Sequence, residues 1–113
     1  MHALIIEDES LIAIAIEYIL RECGFTSFDF ASSPQSGIDA AARQCPDLIT
    51  SDVQLKPGCG IETVLRICSG PPIPVIFVTG NPADVTARLP NSHVVAKPFS
   101  EKQLIAAVRI ALA

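Results

Sequence analysis

Five short apolar runs in this chain alternate with five segments of helical spacing, and that alternation leaves few folds open. The runs are Ala3–Glu7, Phe25–Ala31, Leu48–Ser51, Pro74–Val78 and Val94–Ala96. In the second, Phe28 and Phe30 share one face and Asp29 takes the other. Helical spacing over Ser10–Cys23 places Leu11, Ile12, Ile16, Ile19 and Leu20, with Gly24 as the stop. Ser33 as N-cap and Pro34 in the first helical position open a second helix, through Ile38 and Ala42, that ends before Pro46. A third helix covers Ile61–Cys68 and is closed by Gly70 and Pro71-Pro72. Ala83–Leu89 is short and weak, ended by Pro90, whereas Ser100 and Gln103 form a capping box for Glu101–Leu112. Five such units without an internal repeat predict an α/β fold: a doubly wound, five-stranded parallel sheet in flavodoxin-like order 2-1-3-4-5, with right-handed crossovers and helices on both faces.

The length of 113 residues suits one domain, residues 1–113. Half of the residues are hydrophobic but only 5% are aromatic, which fits an aliphatic interior between a parallel sheet and its helices. The net charge of −4 is spread over scattered single charges, with no basic stripe for direct nucleic-acid contact. The longest apolar stretch, Leu11 to Ile16, falls far short of the ~20 residues of a membrane span. The N-terminus carries no basic-then-apolar leader, so the expected location is cytoplasmic with no membrane partner. Cys23, Cys45, Cys59 and Cys68 form no C-x-x-C pair and no zinc pattern with His2 or His93, which favours plain thiols, Cys59 the most accessible.

Three of the runs end on charge: Glu7-Asp8 follows the first, Asp52 the third and Lys97-Pro98 the fifth. Parallel strands bring these ends to one sheet edge, where open α/β folds hold ligands. Three carboxylates side by side repel one another unless a cation neutralises them, so the set reads as a hard-cation site with a positive clamp for an anion.

Taken in order, Leu4-Ile5-Ile6-Glu7-Asp8-Glu9, Asp52, Thr79 and Lys97-Pro98-Phe99 resemble the receiver domain of two-component response regulators over the whole chain. The resemblance implies Mg²⁺ as cofactor, held by Asp8, Asp52 and the backbone carbonyl of Gln54, with Glu7 acting through water. It makes Asp52 the acceptor of a phosphoryl group from a sensor histidine kinase or phosphotransfer protein. Thr79 is then the hydroxyl that turns to the phosphoryl oxygen, and Lys97, before a cis proline, the clamp. Such a domain is an autocatalytic acceptor rather than a turnover enzyme, switching a protein output partner. Standing alone, Asp8 would read as a helix cap, Asp52 as a turn residue, Thr79 as a β-branched strand end and Lys97 as a solvated lysine.

An acidic Mg²⁺-dependent phosphatase-type hydrolase is the enzyme alternative. Such enzymes carry a second Asp shortly after the nucleophile, whereas Val53, Gln54, Leu55 and Lys56 follow Asp52. A non-phosphorylated scaffold receiver is disfavoured because Glu7, Asp8, Asp52, Thr79 and Lys97 are all present. Val94 stands three positions before the lysine, where receivers usually have an aromatic residue, so the predicted route of the signal is the segment Gly80–Leu89. Pro74-Val75-Ile76-Phe77-Val78-Thr79-Gly80-Asn81-Pro82 and the Pro57-Gly58-Cys59-Gly60 loop look most like the receiver half of PhyR-type general-stress-response regulators. In those proteins the receiver restrains a covalently linked sigma-like domain. None is present in this sequence, which implies an excised or a stand-alone receiver.

Overall fold

The computed structural model describes residues 1–55, 58–67, 70 and 72–113. Lys56-Pro57 of the loop after Asp52, and Cys68 and Pro71 at the expected end of the third helix, lie outside the described residues. Among the described residues ten elements alternate: β1 His2–Ile6, α1 Ser10–Glu22, β2 Ser27–Ala31, α2 Pro34–Arg43, β3 Leu48–Ser51, α3 Gly60–Ile67, β4 Val75–Thr79, α4 Pro82–Arg88, β5 His93–Ala96 and α5 Glu101–Leu112. All strand pairs are parallel, in the order β2-β1-β3-β4-β5. Among the described residues no helix is long and apolar enough to cross a membrane.

Strand alternation divides the core in two. Ala3, Ile5, Leu48, Ile76 and Val78 pack beneath α1 and α5 against Ile16, Leu20, Leu104 and Val108. Leu4, Ile6, Ile49 and Phe77 face the other way, against Ala40 of α2, Ile61 and Val64 of α3 and Val85 of α4. Both faces are covered, which is why every residue of β1 and β3 is buried, polar ones included.

Ser33 and Ser36 close the capping box of α2, and Ser100 and Gln103 that of α5. The second strand begins two residues later than expected. Phe25 N–H donates to Leu20 O and Gly24 N–H to Arg21 O, the paired bonds of a Schellman ending with Gly24 at φ +99°. Phe25 is thereby drawn into the core under α1 instead of entering the sheet.

Thr50, fully buried in β3, lies in register between Ile5 and Ile76, and its hydroxyl is the one buried side-chain polar atom among the described residues without a hydrogen-bond partner. Thr50→Val should therefore raise stability by about 1 kcal/mol, read as a higher urea midpoint at unchanged slope. A lowered midpoint would mean that the hydroxyl has a partner in solution.

Candidate functional site

The C-terminal ends of β1, β3, β4 and β5 meet at one edge of the sheet. A cavity of about 510 Å³ opens there, lined by Asp8, Glu9, Asp52, Gln54, Thr79, Gly80, Asn81 and Lys97. Asp52 follows the last residue of β3 and is tied down by its backbone, since Asp52 N–H donates to Ile6 O at 2.9 Å. Its side chain is nearly buried.

Lys97 bridges two carboxylates. Its Nζ donates to Glu7 Oε1 at 2.8 Å and to Asp52 Oδ2 at 3.1 Å. The Lys97–Pro98 peptide is cis. Burial pushes the Glu7 carboxyl above its usual range, against the Lys97 and Glu9 hydrogen bonds that pull it down. Burial alone would lower Lys97, but the hydrogen bonds to Glu7 and Asp52 outweigh it and hold the ammonium above the ordinary lysine value. Lys97 thus offsets only part of the negative charge of Glu7, Asp8 and Asp52.

Carboxylate oxygens of Glu7, Asp8 and Asp52 lie within 4.8 Å of one another. Three hard oxygen donors at that spacing suit a divalent cation such as Mg²⁺. The cap position of α1 falls on Glu9, whose side chain makes no capping bond, so Asp8 is not used to cap the helix. Glu9 is exposed, and its N–H donates to Glu7 Oε2 at 3.2 Å.

Each residue singled out from the sequence falls at this edge: Asp8, Asp52, Gln54, Thr79 and Lys97 line the cavity, and Glu7 stands behind Lys97. Gln54 N–H faces Asp52 Oδ1 at 3.4 Å. Thr79 is the last residue of β4, and its Oγ1 accepts from Asn81 N–H at 3.0 Å, which leaves the hydroxyl proton free to turn into the cavity. Val94 packs inward on the side of α4, near Val85 and Leu89.

Two supporting residues escaped the sequence reading. Ser51 is buried and donates its Oγ to Asp52 O at 2.9 Å. Gly60 opens α3 so close to Asp52 that its N–H reaches Val53 O at 2.6 Å. The glycines around Cys59 mark a loop but not this close approach.

Acid cluster, lysine and strand-end hydroxyl at this edge coincide with a sequence match: the family described as the response regulator receiver domain matches residues 3–109. The chain belongs to that family. As a receiver it is 33% identical over 113 residues to the phyllosphere-induced regulator PhyR of Methylorubrum extorquens, covering 96% of this chain and 42% of that protein. It is 32% identical to the transcriptional regulatory protein PdtaR of Mycobacterium tuberculosis, covering 96% of this chain and 55% of that protein. The receiver thus spans about half the length of these relatives. The solution structure of the Erythrobacter litoralis PhyR receiver domain superposes with a TM-score of 0.90 at 31% identity, covering 98% of this chain and 88% of that one.

Proposed function

We propose that this receiver accepts a phosphoryl group on Asp52 from a phosphohistidine donor, with Mg²⁺, and thereby changes its affinity for a protein partner. The observation that carries the reading is the Lys97 ammonium between Glu7 and Asp52 in the cavity that also holds Asp8 and Thr79. Asp8, Asp52 and the Gln54 carbonyl would hold the metal, and Glu7 would act through water, since each of its engaged oxygens keeps a second lone pair. The bound cation supplies charge neutralisation for the phosphoryl oxygens.

In the transfer, an Asp52 carboxylate oxygen attacks phosphorus; the P–N bond of the donor breaks as the acyl-phosphate P–O bond forms, and the imidazole leaves with its electron pair. Lys97 follows the phosphoryl oxygens, which carry more charge than the carboxylate it leaves. The Thr79 hydroxyl donates to one of them and draws Gly80-Asn81 with it. Likeness to PhyR, a stress response regulator and in Bartonella quintana an anti-anti-sigma factor, supports a sigma-like output in the same kind of circuit.

The test is incubation of the full chain with acetyl phosphate and Mg²⁺, followed by intact mass and borohydride trapping to map the adduct. One phosphoryl group on Asp52, base-labile and not formed when Mg²⁺ is chelated beforehand, is the expected outcome. A stable adduct on any other residue, or none at all, would overturn the assignment.

A further inference from the structure

The helix α4 is fastened at its start to a wall of the Asp52 cavity and at its end to Cys59, which is bridged to Gln54 of that wall. At its start, Asn81 N–H holds Thr79 Oγ1. At its end, Arg88 Nη1 donates to Cys59 Sγ at 3.6 Å, across 29 positions of sequence. Cys59 is part of a stiff unit. It forms an antiparallel bridge with Gln54, Leu55 N–H donates to Gly58 O at 3.2 Å, and the Cys59 carbonyl accepts from Thr63 N–H and Oγ1 of α3. Gly58, at φ +109°, abuts Pro34, and Gly60 abuts the Asp52 backbone, so residues 58–60 follow that backbone closely. A displacement at Gln54 therefore carries Cys59 with it.

On the receiving side, α4 has seven residues and a single buried side chain, Val85. So short a helix depends on its tertiary contacts for order. Val94 beneath it supplies no ring whose rotation could report on Thr79.

We propose that the Arg88–Cys59 contact is a second latch on α4, through which movement of the loop after Asp52 reaches the C-terminal end of that helix. What moves the loop rests on Asp52 being the phosphoryl acceptor; the latch itself does not.

Amide hydrogen exchange of the full chain tests both parts. In metal-free protein, Cys59→Ala and Arg88→Met should each speed exchange at residues 85–89 by roughly two- to five-fold, and the double variant no further than either single. Both positions are at least partly exposed, so the fold is kept. With Mg²⁺ and beryllofluoride, native and variant rates should converge. Unchanged exchange in the single variants, additive effects in the double, or a gap that persists undiminished with beryllofluoride bound would each overturn the latch. Fluorine NMR reads beryllofluoride occupancy separately: absence of a bound signal would count against the Asp52 reading, while the metal-free comparison still decides the latch.

Discussion

Gly60→Ala should destabilise the fold by about 3 kcal/mol or more and lower the melting temperature by roughly 10 °C or more. A Cβ at this position would overlap the carbonyl oxygen of Asp52 and stand 2.7 Å from Ser51 Oγ. Neither neighbour can give way easily, because one is backbone and the other is a buried side chain already bonded to that carbonyl. Relief requires α3 to back away from β3, which breaks the Gly60 N–H bond to Val53 O and empties the packing of Ile61 and Val64 against the sheet. Gly80→Ala is the matched control, since a Cβ there meets nothing within 4 Å and should cost less than about 1 kcal/mol. Equal melting temperatures for the two variants would show that α3 does not start against Asp52 in solution.

The difference between these two glycines marks where sequence reading stops. Elements were legible wherever local chemistry decides them. Ser33-Pro34 and Ser100 with Gln103 cap helices by their own side chains, and the apolar run Ala3–Ile6 reads as a buried strand. Topology then followed from the handedness of crossovers, and with it the edge at which Glu7, Asp8, Asp52, Thr79 and Lys97 gather.

Contacts between distant segments were not legible. Nothing near Gly60 in sequence distinguishes a loop glycine from one pressed on the Asp52 carbonyl, and nothing near Arg88 points to Cys59. Glu7 is the instructive case. Its position beside Asp8 suggested a role at the cation through water, but nothing near it in sequence shows that its oxygens also accept from Lys97, 90 positions away, and from the Glu9 amide. A glutamate carries one methylene more than Asp8 beside it, and that reach is spent on the lysine. Phe25 failed for a different reason: strand propensity was real, but the αL glycine before it committed the residue to the helix ending.

Lys97→Met should slow phosphoryl transfer to Asp52 by about 10²- to 10³-fold, the usual cost of removing one preorganised donor from developing charge. Methionine keeps the length and apolar stem of lysine and deletes only the ammonium, so the loss isolates charge from packing. The same change leaves the Glu7 side chain buried with no cation at 2.8 Å, and in metal-free protein at neutral pH it should cost about 2–3 kcal/mol, somewhat below a fully buried broken pair because Lys97 is partly exposed. The stability cost depends on pH at both ends of the range. Native Lys97 is held above its ordinary value, so its stabilisation is complete below the lysine range and is lost as pH rises through the folded-state value; the variant lacks that alkaline loss. Glu7 is already raised by burial, and without Lys97 it loses two influences that pull it down, so it protonates more readily. A protonated Glu7 needs no counter-ion, and the stability gap between native and variant should therefore close from the acid side as well. Urea melts across the pH range and acetyl phosphate labelling at fixed Mg²⁺ read the two effects separately. A labelling rate within tenfold of native would remove Lys97 from the transfer step, and a stability gap that stays constant with pH would mean that its ammonium does not sit between Glu7 and Asp52 in solution.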